Sequence, residues 1–333
     1  METEENIKNN IELETKIIDK DILEINSIAS LISYSNEHLG IEGNSLEEIG
    51  IKEQMLKEAG VKFLIYRANT KLKFIGTGCR FGNGIITDKI GKSIGIFKMA
   101  INKRNYAIKI EPTNKSKNKL VADTKLHSTK LKYMQNLDVV LNLANITPVI
   151  QCEHVAKIKY VIFIRYLNTW AIAMEKVHGY TLCPESYNKV MGNSTSKKLA
   201  TLRKVARGLK YFYDNNITFW DIKADNIMFD KRGKTYIIDY DNTHVYNGDK
   251  DHKNLIHIHR FLNVAYNLIV SHKPISSAMD LIKMKVPDQL AVLLFNNRKE
   301  YINKPKVGEK YDKIIAFLQK NKMSWDILLE LLY

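Results

Sequence analysis

Four polar side chains stand at fixed offsets between short apolar runs in the stretches FWDIKADNIMFD and IIDYDN. Phosphoryl transfer requires a carboxylate that orients the attacking hydroxyl, oxygen ligands for Mg²⁺ and a cation on the phosphates. Asp221 is the candidate base, and Lys223 is the cation that would reach the transferred phosphate. Asn226 and Asp239 are the candidate Mg²⁺ ligands. This stretch therefore has the side chains of a phosphoryl-transfer site.

The residue types and the hydrophobic pattern change along the chain on either side of this stretch. These changes predict the helices and strands that must position it. Residues 1–60 carry apolar side chains at helical spacing and end on Gly60 as a helix C-cap would, which predicts a separate acidic helical extension. From residue 61 the sequence is rich in β-branched and aromatic residues punctuated by glycine. From Ser194 helices dominate, apart from a hairpin with its turn at 231–233. These patterns predict two lobes with a cleft between them.

The spacing of the candidate residues resembles that of the protein-kinase superfamily. DIKADN is similar to the catalytic loop D-x-K-x-x-N, and IID follows where that family has its metal-binding Asp. YAIKI resembles the V-A-I-K strand, so the resemblance makes Lys109 the residue that pairs with the α- and β-phosphates of ATP. The resemblance implies an α+β, bilobal kinase-like fold with a β-rich N-lobe and a helical C-lobe. The boundaries that we predict are an extension at 1–60 and a kinase-like domain at 61–333, with the N-lobe at about 61–173, the hinge at about 174–179 and the C-lobe at about 180–333.

Two glycine clusters compete for the phosphate-binding loop that this resemblance requires. IGKSIGIF is similar to a shortened glycine-rich loop, with Gly91, Ser93 and Gly95 near the phosphates and Phe97 packing on adenine. Glycine lets a backbone approach phosphate closely. The alternative is GTGCRFGNG at 76–84, which we interpret as a turn because it lies far before the strand YAIKI. We therefore predict the loop at GKSIG.

The segment AIAMEKVHGYTL resembles the hinge strand of the same family. The resemblance makes Met174 the gatekeeper and places the backbone from Glu175 to Val177 against adenine. KLATLRKVARGLKYFYDNNI resembles the helix that leads into the catalytic loop. ATP and Mg²⁺ are the cofactors implied.

Several positions depart from the family pattern. Phe219 and Trp220 replace the usual His-Arg, whose Arg often holds a phosphorylated activation loop, so activity gated by loop phosphorylation is not expected. Asp239-Tyr-Asp replaces D-F-G, which makes Asp241 an alternative second acidic ligand. No Glu occurs where a helix should supply a partner for the strand lysine, and Asp123 is the best substitute.

Four histidines and the short segment after Asp239 also differ from an ordinary protein kinase. The histidines His244, His252, His257 and His259 invite a zinc hypothesis, but no cysteine is near and His257 lies where the family helix has a structural Asp. Only about fifteen residues separate Asp239 from the helix NLIHIHRFLNVAYNLIV, without the A-P-E motif. That segment normally forms the platform for a peptide substrate.

The composition of the chain limits the other classes of protein to which it could belong. The 333 residues are 45% hydrophobic and 26% charged, as in a globular protein, and no run approaches the apolar length of a membrane span. Three scattered cysteines and an acidic, polar start favour the cytoplasm over secretion. Residues 1–60 hold 14 acidic residues against 5 lysines, whereas the rest holds 46 basic against 22 acidic residues. Because the lysines are dispersed, we expect an anionic small ligand rather than a specific nucleic acid.

The function predicted from these observations is an ATP- and Mg²⁺-dependent serine/threonine protein kinase, because Lys223 is the residue of Ser/Thr kinases at that offset. One alternative is a kinase-fold phosphotransferase for a small molecule or glycolipid, since IDYDN resembles the corresponding motif of aminoglycoside and choline kinases. Another is a pseudokinase that binds nucleotide without turnover. The compact architecture resembles kinases of bacterial effectors and large DNA viruses, which implies the host cytoplasm, a protein substrate and an activating protein partner bound by the extension or the basic surface.

Overall fold

The computed structural model describes residues 15–28, 46–67, 73–76, 95–110, 141–164, 169–240, 243–246, 248–302 and 309–333. The chain divides into two compact units. The first comprises Met1–Ile150 and Lys157–Lys176, and the second comprises Gln151–Ala156 and Val177–Tyr333. Within the described residues, no helix combines the length and apolar character needed to cross a membrane.

The first unit is built on one mixed sheet. Its strands are β1 (Thr15–Asp19), β2 (Ile22–Ile25), β3 (Lys62–Tyr66), β4 (Lys73–Gly76), β5 (Gly95–Ile101), β6 (Arg104–Ile110), β7 (Ile158–Ile164) and β8 (Thr169–Glu175). Their order across the sheet is β1-β2-β3-β7-β8-β6-β5-β4. The β3–β7 pair is parallel and the other pairs are antiparallel.

Alternating apolar side chains give this sheet its core, because successive residues of a strand point to opposite faces. Leu64, Ile108 and Ile162 come from three different strands and are fully buried in one cluster. Tyr106 and Tyr160 close the cluster with an edge-to-face contact at 5.1 Å between ring centroids. The core thus holds β6, which carries Lys109, between β5 and β8.

The predicted helical extension is wrong for residues 15–25. These residues form the β1–β2 hairpin with its turn at Lys20–Asp21, and β2 pairs with β3, so the sheet continues across residue 60. Short apolar stretches are ambiguous between helix and strand, and pairing of β2 with β3 decides for the strand here. The helix before Gly60 is confirmed: α1 (Leu46–Glu58) ends with Gly60 at a φ of +82°.

A short helical segment follows in the first unit. It consists of a 3₁₀ turn (Asn142–Ile146) and α2 (Thr147–Gln151), of which Gln151 belongs to the second unit. Leu143, Ile146 and Val149 are fully buried, so this segment packs as core.

The second unit is mainly helical, as the sequence predicted. Its helices are α3 (Pro184–Met191), α4 (Thr195–Asp214), α5 (Lys250–Val270), α6 (Ala278–Lys283), α7 (Asp288–Ile302), α8 (Glu309–Lys320) and α9 (Trp325–Leu331). Its short strands are β9 (Tyr180–Thr181), β10 (Ile217–Thr218), β11 (Ile227–Phe229), β12 (Thr235–Ile237) and β13 (His244–Val245). They form a three-stranded sheet, β12-β11-β9, and the pair β10-β13.

The predicted hairpin is confirmed in the second unit. β11 and β12 pair antiparallel, with Ile227 opposite Ile237, and Gly233 in the turn has a φ of +73°. Asp230 Oδ1 accepts hydrogen bonds from the backbone N–H groups of Arg232 and Lys234, each at 2.9 Å. An aspartate that binds the backbone two residues later stabilises a tight turn, so the turn is determined locally.

Candidate active site

The loop from Phe219 to Asn226 connects β10 to β11 and carries three of the four candidate residues. Phe219 and Ile222 are buried, and Phe219 packs on Phe212 of α4 with ring centroids 5.5 Å apart. The side chains of Asp221 and Lys223 are 54% and 47% exposed. Buried apolar residues therefore fix the loop to the helical core and leave the charged groups of Asp221 and Lys223 accessible.

Asp221 is the centre of the hydrogen bonds in this loop. The Asn226 Nδ2 group donates to Asp221 Oδ2 at 2.8 Å and to the Asp221 carbonyl oxygen at 3.0 Å. Lys223 Nζ lies 2.5 Å from the same Oδ2. The ion pair is exposed and contributes little stability, so its main effect is to hold a carboxylate and an ammonium group side by side.

Strand pairing brings Asp239 beside this loop. Asn226 immediately precedes β11 and Ile238 immediately follows β12, so the antiparallel register places them opposite each other. The Ile238 N–H donates to the Asn226 carbonyl oxygen at 2.9 Å. Asp239 is next and has a φ of +61°, in the left-handed region that few non-glycine residues adopt. Such conformations cluster at functional sites.

The donor set here suits a hard divalent cation. The two hydrogen bonds of Asn226 to Asp221 both use the amide nitrogen, which orients the amide and makes its Oδ1 the atom left to coordinate. The Asp239 carboxylate would be a second oxygen donor, since oxygen ligands are what Mg²⁺ requires. Among the described residues, no group of three or more His, Cys, Asp or Glu side chains is arranged to hold a metal, so the zinc alternative has no ligand set there.

The other predicted residues that the structure describes lie on the sheet of the first unit, except Val177, which belongs to the second. Lys109 is on β6 and is only 2% exposed, opposite Ile96 of β5 and Ile172 of β8. Gly95 is the first residue of β5 and Phe97 lies two residues later, while Met174 and Glu175 end β8. The Glu175 N–H already donates to the Lys157 carbonyl oxygen at 2.8 Å, so an adenine contact from Glu175 would use its carbonyl oxygen.

Comparison with known protein families identifies the family of this chain. A family profile described as the protein kinase domain matches residues 102–283, which is more than half of the chain and spans the strand of Lys109, the Asp221 loop and Asp239. The chain belongs to the protein kinase family. Membership implies a phosphotransferase that uses ATP. The search of curated proteins finds no match for the chain.

We predicted that the glycine cluster GTGCRFGNG lies too far before the strand of Lys109 to form the phosphate loop of this kinase, and strand pairing removes that reason. β4 ends at Gly76 and pairs directly with β5, with Gly76 opposite Ile96. The connection between the two strands thus runs from residue 77 to residue 94 and contains most of both clusters. It lies outside the described residues, as do Gly91 and Ser93, so the loop at GKSIG stays a prediction.

Two further predicted positions of the kinase, Asp123 and Asp241, also lie outside the described residues. Their roles as the partner of Lys109 and as a second acidic ligand therefore remain predictions.

Two residues that support the site were missed by sequence reasoning. Tyr240, next to Asp239, is fully buried, and its hydroxyl donates to the Ala156 carbonyl oxygen at 2.8 Å. At Gly179, the last residue of the predicted hinge, a Cβ atom would lie 2.2 Å from the Phe229 carbonyl oxygen, so the chain needs glycine there. The replacement of D-F-G by D-Y-D could have signalled the first, because a buried tyrosine usually finds a hydrogen-bond partner.

Proposed function

We propose that the protein is an ATP- and Mg²⁺-dependent serine/threonine protein kinase whose activity is not switched by phosphorylation of the segment after Asp239. The observation that carries the proposal is the arrangement of the Asp221 loop. Its carboxylate is exposed, is oriented by Asn226 and lies against the Lys223 ammonium group. This is the set of groups that transfer to a hydroxyl requires.

Each residue has a defined task in this proposal. The Asp221 carboxylate orients the acceptor hydroxyl and accepts its proton. Lys223 contacts the transferred phosphate, and Lys109 contacts the phosphates of ATP. Asn226 and Asp239 would hold Mg²⁺, which when bound offsets the charge of the phosphate oxygens.

Nucleotide binding is assigned to the first unit and the hinge. Gly95 and Phe97 would line the phosphate loop and the adenine face. Met174 is the proposed gatekeeper. Carbonyl and N–H groups of Glu175 and Val177 would bond adenine in the manner of the family.

The hydroxyl groups after Asp239 support independence from loop phosphorylation. Ten residues, 240–249, separate Asp239 from α5, and their hydroxyl side chains are Tyr240, Thr243 and Tyr246. All three are at most 7% exposed. Their hydroxyls are held in the interior: Tyr240 by the Ala156 carbonyl, Thr243 by the Tyr240 carbonyl at 2.7 Å, and Tyr246 by the imidazole of His257 at 3.0 Å. A modifying enzyme would have to unfold this segment to reach them.

The same short segment favours a second candidate, a kinase that phosphorylates a small molecule or glycolipid. Ten residues leave little chain from which to build a platform for an extended peptide, and IDYDN resembles the ending found in small-molecule kinases. A small acceptor would need only the exposed groups of Asp221 and Lys223. The two candidates share the phosphate-transfer chemistry and differ in the acceptor.

The deciding experiment follows labelled phosphate from γ-labelled ATP in a cell lysate, with the wild-type chain, Asp221→Asn and the matched control Asp225→Asn. Asp225 lies in the same loop, but its described contact is with Cys183 Sγ at 3.8 Å. We expect label on Ser and Thr of proteins that disappears with Asp221→Asn and persists with Asp225→Asn. Label confined to small molecules or lipid would support the second candidate. Nucleotide binding without transfer would refute both.

Regulation needs a separate measurement. We expect phosphatase treatment to leave the rate unchanged, and mass spectrometry to find no phosphate on residues 240–249 of active protein. A phosphate on Thr243 whose removal abolishes activity would refute this part of the proposal.

A further inference from the structure

Cations are concentrated on the second unit where α4 meets the turn between β11 and β12. Helix α4 contains six lysines and arginines and a single carboxylate, that of Asp214. The turn adds the sequence KRGK at 231–234. Five of these cations are at least partly exposed, and we call them the basic face: Lys204, Arg207, Lys231, Arg232 and Lys234.

Contacts join the helix and the turn into one surface. Lys204 Nζ donates to the Gly233 carbonyl oxygen at 2.6 Å, so the turn is held against α4. Lys204 and Arg207 lie on the same side of α4, because residues three apart in a helix are neighbours. His154 packs on the same helix: a Cβ atom at Gly208 would lie 2.9 Å from the Cβ of His154, whose carbonyl oxygen accepts a hydrogen bond from β12 at 2.7 Å.

The charges of the basic face act together on His154. Burial lowers the pKa of this imidazole, and the carboxylate of Glu153 opposes the effect. The charges of Arg207, Lys234 and Lys204 each lower the pKa further. Cations that act on one group from both the helix and the turn produce a region of positive potential.

Carboxylates of the described chain do not neutralise the basic face. Among the described residues, none of its five cations forms a salt bridge. Asp230, the acid of the turn, uses its Oδ1 to accept the backbone N–H groups of Arg232 and Lys234. The side-chain charges of the basic face are therefore available to an anionic partner.

The separate contacts of the cations favour an extended partner over a small anion. Lys204 is held by the turn, Arg207 donates to the Tyr333 hydroxyl at 2.9 Å, and Lys234 Nζ lies 5.0 Å from the Tyr236 ring centroid. A small ligand is bound by polar groups that converge in a concave site. Cations held by different partners along a surface instead suit a chain with several negative charges.

Nucleic acids and membranes need aromatic or apolar groups beside the cations. Single-stranded nucleic acid stacks its bases on aromatic rings, but Tyr236 and Tyr333 each already have a cation over the ring, the second from Arg203 at 3.6 Å. Membrane surfaces bind apolar side chains. Apart from Tyr333, the exposed large apolar residues described in the second unit lie outside α4 and the turn: Tyr180, Trp220, Val245, Met279 and Val292. An acidic protein segment therefore fits best.

We propose that the basic face docks an acidic segment of the protein that the kinase phosphorylates. The proposal rests on the proposed function in taking a protein as the acceptor. Ten residues, 240–249, leave little chain for a peptide platform beside Asp239, so affinity for a protein acceptor comes from a second surface.

The position of the turn allows docking and transfer at the same time. Asn226 and Asp239 lie at one end of the β11–β12 hairpin and the turn lies at the other. Four residues separate Asn226 from Asp230, which is about 13 Å of strand at about 3.3 Å per residue. A segment docked at the turn thus leaves the Asp221 loop free, and it raises the effective concentration of the acceptor hydroxyl.

Two triple variants separate the basic face from the net charge of the chain. The face variant replaces three exposed cations of the basic face: Arg207→Gln, Arg232→Gln and Lys234→Gln. The control variant replaces exposed lysines of α6, α7 and α8: Lys283→Gln, Lys299→Gln and Lys320→Gln. Both variants remove the same charge, and both keep Lys204, whose contact holds the turn on α4.

Binding is measured by fluorescence anisotropy with a labelled oligoglutamate peptide. We expect its Kd to rise about tenfold in the face variant and less than about threefold in the control variant, because an exposed ion pair changes an affinity by at most about fivefold. The affinity of wild type should fall as salt is added. Equal Kd values in wild type and the face variant would overturn the proposal. So would an equal loss in both variants, or tighter binding of an oligoribonucleotide or of phosphatidylserine vesicles that the face variant abolishes.

A transfer assay connects this binding to the acceptor. In a lysate with γ-labelled ATP, we expect oligoglutamate to reduce the labelling of proteins by wild type, and the face variant to label them more weakly than the control variant. Protein labelling that is equal in the two variants and insensitive to oligoglutamate would overturn the docking of acceptors. The anisotropy assay needs no transfer, so a wild-type chain that binds oligoglutamate through the basic face but transfers no phosphate would refute the proposed function alone.

Discussion

The buried side chain of Lys198 should make the free energy of unfolding depend on pH, and the structure gives the sign and the size of this effect. The side chain is only 1% exposed, in the first turn of α4. Its Nζ group donates to Asn193 Oδ1 and Ser271 Oγ, each at 2.6 Å, and to the Ile269 carbonyl oxygen at 3.3 Å. No carboxylate pairs with it in the described part of the chain. Burial, and then the charge of Lys273, lower its pKa from 10.5 to about 8.

The direction of the pH effect follows from proton binding in the two states. Below about pH 8 both states hold the proton, and the cost of a buried charge applies in full. Between about pH 8 and pH 10.5 the unfolded chain keeps the proton of Lys198 while the folded chain releases it, so the free energy of unfolding rises with pH. Each pKa unit is worth about 1.4 kcal/mol, so the full effect is about 3 kcal/mol. About 2 kcal/mol of it is recovered between about pH 7 and pH 9.5.

The assay is urea unfolding across that pH range for wild type, Lys198→Met and the control Lys197→Met. Lys197 is the adjacent, exposed lysine of α4. The buried tyrosines have raised pKa values and would lower stability at still higher pH, so the result is read as the wild-type value minus that of Lys198→Met. We expect this difference to rise with pH, and Lys197→Met to follow wild type. A flat difference would refute the reasoning.

Two further substitutions test packing in the second unit. Gly179→Ala should lower the free energy of unfolding by about 1–3 kcal/mol or more, because the new Cβ would lie 2.2 Å from the Phe229 carbonyl oxygen. In the control Gly50→Ala, the new Cβ lies in a helix with no atom within 4 Å, so the free energy of unfolding should rise by up to about 1 kcal/mol. Equal effects of the two substitutions in thermal unfolding would contradict this expectation. Tyr240→Phe should cost about 1–3 kcal/mol in urea unfolding by leaving the buried Ala156 carbonyl without its hydroxyl donor, whereas an unchanged midpoint would show that water replaces it.

Parts of the candidate site were predictable because they depend on nearby residues. The offsets of Asp221, Lys223 and Asn226 place them on one loop in any fold that contains the motif. The turn at Gly233 and the helix end at Gly60 follow from the conformational freedom of glycine at positive φ. The hairpin between Asn226 and Asp239 then brings its two ends together. Such features need only contacts within about fifteen residues.

Other parts depended on partners far along the chain. The apolar residues between 15 and 25 have the spacing from which we predicted a helix, but they form strands because β2 pairs with β3 and β3 pairs in parallel with β7. Gly76 lies opposite Ile96 because β4 pairs with β5, although 19 positions separate the end of one strand from the start of the other along the sequence.

The sequence by itself determined the family, the chemistry of the loop and the helical character of the second unit, because each follows from residue type at short spacing. Only the tertiary structure decided what holds that loop. Trp220 and His257 are 37 positions apart in the sequence, and neither has a periodic pattern that links it to the other. Their contact exists because α5 packs beneath the loop, and long-range packing is set by the whole core rather than by any local stretch.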